Sequence, residues 1–212
     1  MKRVLVALAA GGFAIVGLSF FIPPGFHNAP LGRLLWAFER VATSEPVGLS
    51  DRCIFLGVSV VIVYPYLYSF LAAFTVSVPS GRALFPLHLG LHGVGLGLLF
   101  VFGLLLLLSG DTYVPRAVQV GAMLFALLFG SFAAVVAKRL RARRASLAVM
   151  TATSAVQVPL QLGIAAAVFA DGGPPGGYLL GACGALLAFC GSVSLFMVEG
   201  ARSADLRDRS DV

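Results

Sequence analysis

Six long apolar stretches without a charged side chain run through the sequence, and they constrain its fold more than any other feature. About 20 helical residues cross a hydrocarbon core about 30 Å thick, so an uncharged apolar run of about 18 residues or more predicts a transmembrane helix. The predicted spans are Val4–Ile22, Cys53–Val78, Ala83–Ser109, Ala117–Ala137, Ala145–Ala170 and Tyr178–Val198. The sequence therefore predicts an all-α fold, a polytopic membrane helical bundle in which six transmembrane helices form a single domain over residues 1–198.

The composition excludes most other classes of protein. Hydrophobic residues make up 59% of the chain and charged residues 11%, whereas an ordinary soluble domain carries about 45–50% and about 25%. Too few polar side chains remain to cover a surface that faces water. A soluble enzyme, a DNA-binding domain, a disulfide scaffold and a disordered chain are therefore excluded, and we expect the lipid bilayer as a partner and no nucleic acid.

The segments outside the spans are short apart from the first outer loop, residues 23–52. Apolar residues in this loop repeat at helical spacing, at Leu31, Leu34, Leu35, Phe38 and Val41. This pattern predicts a short amphipathic helix at the membrane interface. Residues 199–212 mix charge signs and predict a solvated tail. The first apolar stretch also resembles a signal peptide, but no small-x-small cleavage site follows it, so we expect a retained helix.

Lys and Arg are distributed unequally between the two sides of the predicted bundle. If the N-terminus is cytoplasmic, eleven of the 15 lie inside and four outside. The inner set is Lys2, Arg3, Arg82, Lys138, Arg139, Arg141, Arg143, Arg144, Arg202, Arg207 and Arg209; the outer set is Arg33, Arg40, Arg52 and Arg116. Because cytoplasmic loops carry an excess of basic residues, we predict a plasma (inner) membrane protein with both termini in the cytoplasm.

Five of these basic residues form one run between the fourth and fifth spans: Lys138, Arg139, Arg141, Arg143 and Arg144. The simplest interpretation is a loop that fixes the orientation of the two flanking helices. Each such charge also attracts anionic lipid by about 1 kcal/mol. We therefore expect this run to set the topology and to contact anionic lipid headgroups.

The strongest polar signal inside a span is a pair of histidines. His88 and His92 are four residues apart, so both lie on one face of the third helix. Two imidazoles on one face could bind a metal or donate one axial ligand to haem, but the third histidine, His27, is in the outer loop. We expect no cofactor and favour neutral histidines that bond to neighbouring helices or line a polar cavity, while haem and metal stay open as alternatives.

Two further polar pairs have the same spacing, and each flanks a proline that we predict to break its helix. Tyr64 and Tyr68 flank Pro65 in the second span, and Gln157 and Gln161 flank Pro159 in the fifth. Each proline frees a backbone carbonyl one turn earlier, and matching breaks in two halves are typical of transporters built as inverted repeats. We therefore predict that the tyrosines, histidines and glutamines line one neutral mid-membrane binding site, at which the two prolines meet. The alternative is that these side chains only join helices.

Small residues give further expectations about packing. Gly93 with Gly97, and Gly177 with Gly181, have the small-xxx-small spacing of close helix contacts. The cysteines, Cys53, Cys183 and Cys190, lack the spacing of metal ligands, and we expect all three to be small residues in the core of the bundle.

Three classes of function remain, and no motif of a catalyst is present. The spans contain no Asp, Glu, Lys or Arg, which argues against an ordinary ion-coupled pump, because such residues mark ion pathways in membranes. We favour a non-enzymatic permease-like protein that binds a small solute or a lipid. The alternatives are a haem- or metal-bearing redox subunit and a structural or accessory membrane protein without a ligand.

Overall fold

The computed structural model describes residues 2–21, 49–78, 84–109, 116–170 and 172–208, with side chains from residue 63 in the second range and up to residue 201 in the last. These residues form six α-helices and no strand, which confirms the all-α prediction. The helices are α1 (Lys2–Ser19), α2 (Leu49–Ser77), α3 (Leu84–Ser109), α4 (Arg116–Arg139), α5 (Ala142–Ala170) and α6 (Gly176–Asp208).

Five of these helices are long and apolar enough to cross a membrane. The spans are Lys2–Ser19, Leu84–Leu105, Gln119–Arg139, Ala142–Ala170 and Gly176–Ala201. The predicted span Cys53–Val78 lies on α2, where many of the side chains are outside the described residues. The predicted interfacial helix, with Leu31 to Val41, lies outside the described residues altogether. Helices of this length and composition suggest a membrane protein, whereas six spans and an interfacial helix remain predictions.

The turn between α5 and α6 shows why the chain reverses there. Gly172 has a left-handed backbone, with φ of 76°. Its N–H bonds the carbonyl of Phe169 at 3.0 Å, and the N–H of Gly173 bonds that of Val168 at 2.9 Å. These two bonds are the Schellman motif, in which a glycine just after the helix leaves the right-handed conformation and satisfies the last free carbonyls. Two prolines then separate α5 from α6.

The closest helix contact joins α1 and α6 through small residues. A Cβ at Gly12 would lie 2.7 Å from the carbonyl oxygen of Gly184, and a Cβ at Gly191 would overlap the backbone of Ala9. The α1–α6 backbones therefore touch, as van der Waals association of membrane helices requires. Gly93 and Gly97 do not form the predicted seam with any described residue, since a Cβ at either would meet no described atom within 4 Å.

α6 presents two unlike faces. Its buried face carries small residues such as Ala185, Ala188 and Ser192, which allow the close contact with α1. Cys183 and Cys190 lie on the exposed face. The prediction that they are core residues is therefore wrong for these two cysteines, because both lie on the side of the helix opposite the contact with α1.

One end of the bundle carries most of the described charge, and we call it the basic end. Glu199 Oε1 accepts bonds from Lys2 Nζ at 3.1 Å and from Arg143 Nη2 at 3.0 Å. The first residues of α1 and α5 therefore lie beside the last part of α6. The helix α6 also continues past Val198, the predicted end of the last span, to Asp208. Glu199 thus belongs to a helix and an ion-pair network, although the sequence assigns it to a solvated tail.

Candidate functional site

Five of the six polar residues singled out in the sequence meet between α2, α3 and α5. His88 and His92 are 0% and 1% exposed, and their ring planes are parallel with centroids 6.3 Å apart. The ring of Tyr68 lies beside both, with its centroid 5.2 Å from that of His88 and 4.8 Å from that of His92. We call the following residues the polar cluster: Tyr64, Tyr68, His88, His92, Ser146, Thr153 and Gln157.

Each imidazole is held from a different helix through its Nδ1 atom. The Ser146 hydroxyl on α5 bonds His88 Nδ1 at 2.9 Å. The Tyr64 hydroxyl on α2 bonds His92 Nδ1 at 2.5 Å. The Nε2 atoms of both histidines are buried and have no hydrogen-bond partner among the described residues. Each ring is therefore oriented through its Nδ1 atom, and its Nε2 atom is left without a partner among the described residues.

The glutamines divide between two places. Gln157 Nε2 donates to the carbonyl oxygen of Pro65 at 3.3 Å and lies 3.4 Å from Ser69 Oγ, which ties α5 to α2 beside the two tyrosines. Gln161 lies one turn further along α5. Its side chain approaches Gly181, where a Cβ would be 3.1 Å from the Gln161 Oε1 atom. Gln161 is therefore adjacent to the α5–α6 contact and not in the polar cluster.

The prolines do not meet at a shared cavity. α2 and α5 both continue as helices through Pro65 and Pro159. Pro159 is exposed, whereas Gln157 two residues earlier is buried. Two residues correspond to about 200° around a helix, so these two side chains cannot face the same interior. The prediction that both prolines line one site is wrong for Pro159, and it is Gln157 that reaches the Pro65 segment.

Two residues of the polar cluster were missed in the sequence. Ser146 and Thr153 lie on the face of α5 that also carries Gln157, at a spacing of seven and then four residues, which is the repeat of one helix face. Ser154, the residue after Thr153, is not part of the polar cluster. Ser154 bonds only carbonyls of its own helix, those of Met150 and Thr151. The Thr153 hydroxyl faces that of Tyr68 without reaching hydrogen-bond geometry.

The basic run divides into an exposed and a half-buried part. Lys138, Arg139 and Arg141 are exposed. The Arg143 guanidinium lies over the ring of Phe85, 5.5 Å from its centroid, and that of Arg144 lies 5.1 Å from the centroid of Phe196. Aromatic faces attract cations at such distances. Two arginines are therefore held in defined positions at the basic end, while the other three charges face outward.

Comparisons of the chain with protein-family models, with curated proteins and with solved structures found no match. Arguments about function must therefore come from the polar cluster itself. Within the described residues, no three His, Cys, Asp or Glu side chains come together as a metal site would require.

Proposed function

We propose that this membrane protein binds a small polar solute at the polar cluster and acts as a permease-like carrier, without catalysing a reaction. The observation that carries the proposal is a set of buried polar atoms that lack a hydrogen-bond partner. Those in the polar cluster are Tyr68 Oη, His88 Nε2, His92 Nε2, Thr153 Oγ1 and Gln157 Oε1. Each such group costs several kcal/mol in hydrocarbon, and native proteins leave few of them.

A polar solute explains this arrangement better than interhelical bonding alone. Side chains that only join helices would use both of their polar ends, whereas Gln157 is bonded only through Nε2 and each histidine only through Nδ1. The bonded atoms fix these side chains, and the unbonded atoms remain for a ligand. A neutral or zwitterionic solute, a lipid headgroup or a quinone-like ring would satisfy them, and all of these match a site without a formal charge.

The proposal is tested by thermal unfolding of the purified protein in detergent with increasing concentrations of acetamide, glycine, phosphocholine or a short-chain quinone. A solute that binds one site raises the melting temperature with a logarithmic dependence on concentration above its dissociation constant. A solute excluded from the surface raises it without such a transition. We expect at least one probe to show the specific dependence. An unchanged melting temperature with all four would contradict the proposal.

The free histidine nitrogens also favour a second candidate, a haem or metal centre. Bis-histidine haem needs ligands on opposite sides of the iron, whereas His88 and His92 are on one face of α3. A second copy of the chain or another ligand would be needed. An absorption spectrum of the purified protein, with a Soret band for haem, separates this candidate from solute binding.

We further propose that the basic end is cytoplasmic in a plasma (inner) membrane. Eleven basic residues on the predicted inner side against four on the outer side support this orientation. The contacts of Glu199 with Lys2 and Arg143 indicate that the corresponding ends of α1, α5 and α6 lie on the same side. The exposed charges of Lys138, Arg139 and Arg141 would then face the anionic inner leaflet, where each contributes about 1 kcal/mol to lipid contact.

Single cysteines test this orientation. In a chain with Cys53, Cys183 and Cys190 replaced by alanine, we expect a membrane-impermeant maleimide to label Ser44→Cys in intact cells. We expect Ser203→Cys to be labelled only after the membrane is permeabilised, because it lies on the side rich in Arg. Labelling of both positions from outside would overturn the proposed topology.

A further inference from the structure

The direction of the hydrogen bonds at His88 determines what its free nitrogen offers. Ser146 makes no other hydrogen bond within the described part of the chain. Several other serines and threonines in the bundle donate to a carbonyl of their own helix, as Ser69 does to that of Pro65 at 2.7 Å and Thr75 to that of Leu71 at 2.7 Å. The Ser146 hydrogen has an acceptor only if it is donated to His88 Nδ1. A neutral imidazole with an acceptor Nδ1 carries its hydrogen on Nε2, so this nitrogen is a donor.

The same reasoning applies to the second histidine. His92 Nδ1 is the one hydrogen-bond partner of the Tyr64 hydroxyl among the described residues, so we assign the phenol hydrogen to this bond, in which it finds an acceptor. His92 Nε2 is therefore also an N–H donor. The two rings lie one helical turn apart on α3 with parallel planes, so this helix carries two buried donors close to each other, and the hydroxyl of Tyr68, whose ring lies beside both imidazoles, can add a third.

Positive charge lies next to these donors. Phe85 and Arg143 stack on each other one turn nearer the basic end than His88 and Ser146, which bond to each other. The described side chains of this end comprise seven cations and one carboxylate, that of Glu199, which is engaged by Lys2 and Arg143. The cations are Lys2, Arg3, Lys138, Arg139, Arg141, Arg143 and Arg144. A concentration of one sign of charge raises the local concentration of the opposite ion.

We infer that the solute is a small carboxylate, whose oxygens accept the Nε2–H bonds of His88 and His92 and which reaches them from the basic end. This inference rests on the proposed function and specifies its ligand. A carboxylate has acceptors only, which matches the donors, and hydrogen bonds to an ionised acceptor are about twice as strong as neutral ones. The same group could belong to a free monocarboxylate or to a zwitterion, whose ammonium would find the Gln157 carbonyl oxygen.

Acetate, glycine and acetamide distinguish these possibilities, because acetate and acetamide have almost the same shape and differ in charge. Dissociation constants are obtained for the full chain in detergent from thermal unfolding, with sodium chloride replacing each salt at equal ionic strength. We expect acetate or glycine to bind at least tenfold more tightly than acetamide. Tighter binding of acetate identifies a free carboxylate, and tighter binding of glycine a zwitterion.

The variant Ser146→Ala tests the role of the oriented donor. It leaves the imidazole of His88 in place but removes the hydroxyl that fixes the hydrogen on Nε2, so we expect binding of acetate or glycine to weaken about tenfold and that of acetamide much less. The matched control is Ser192→Ala, since Ser192 is buried but bonds Thr151 and the carbonyl of Phe189, away from the histidines.

Two results would overturn the inference. If acetamide binds as tightly as acetate and glycine, the inference that the solute is a carboxylate is wrong, while the proposed solute site stands. If none of the three binds, and neither phosphocholine nor the quinone does, the proposed function fails together with the inference.

Discussion

Gly12→Ala should destabilise the protein by about 3 kcal/mol or more, the upper part of the range for overpacked interiors. A Cβ at Gly12 would overlap the backbone of Ala188 and lie 2.7 Å from the carbonyl oxygen of Gly184. Backbone atoms cannot rotate away as a flexible side chain can, so α1 and α6 must separate. That movement would also disturb the packing of the surrounding core, in which Phe13 and Ala188 are buried.

Gly11→Ala is the matched control for this prediction. It makes the same chemical change one residue earlier on the same helix, but a Cβ at Gly11 would meet no described atom within 4 Å. We expect its stability to change by less than about 0.5 kcal/mol, as for substitutions away from packed features. Thermal unfolding and the monodisperse fraction after size exclusion measure both variants. Equal stability of Gly12→Ala and Gly11→Ala would show that α1 and α6 do not pack as closely as described.

The positions of the helices followed directly from the sequence, because an uncharged apolar run has few alternatives to a membrane helix. Predicted and observed limits differ by a few residues at most ends, as at α3, predicted over Ala83–Ser109 and observed over Leu84–Ser109. The larger difference is at α6, which continues to Asp208. Charged residues can extend a helix beyond the membrane where its backbone bonds are exposed to water, and hydropathy carries no information about that extension.

The contacts between helices could not be predicted in the same way. Gly93 and Gly97 have the spacing of a packing motif but contact no other helix among the described residues, whereas Gly12 and Gly184 meet closely from two different helices. Spacing shows that small residues share a face, but not which face meets another helix. Nearly all faces here are apolar, so the pattern that distinguishes core from surface in a soluble protein is absent.

The candidate site was predicted in part for a clear physical reason. Polar residues in a membrane must find partners, so His88, His92, Tyr64, Tyr68 and Gln157 could be expected to converge, and they do. The partner of each residue depends on helix rotation and could not be derived. Ser146 is the clearest case, because a serine within a helix usually bonds its own backbone, and its contact with His88 exists only once α3 and α5 pack together.

Replacing both histidines with leucine should abolish solute binding and lower stability only moderately. The double variant His88→Leu, His92→Leu removes the two N–H donors and two interhelical hydrogen bonds. Such bonds average about 0.6 kcal/mol in membrane proteins, so a loss of about 1–2 kcal/mol is expected and the bundle should remain folded. The control is Thr75→Val, because Thr75 is fully buried but bonds only the carbonyl of Leu71 on its own helix.

The most direct measurement is mass spectrometry of the small molecules released when the purified, folded proteins are denatured. The parent chain and Thr75→Val should both release one polar compound at close to one molecule per chain, and the double histidine variant should release at least tenfold less. If the double variant carries the same compounds in the same amounts as the parent, or if none of the proteins releases a polar compound, the polar cluster is not a solute-binding site.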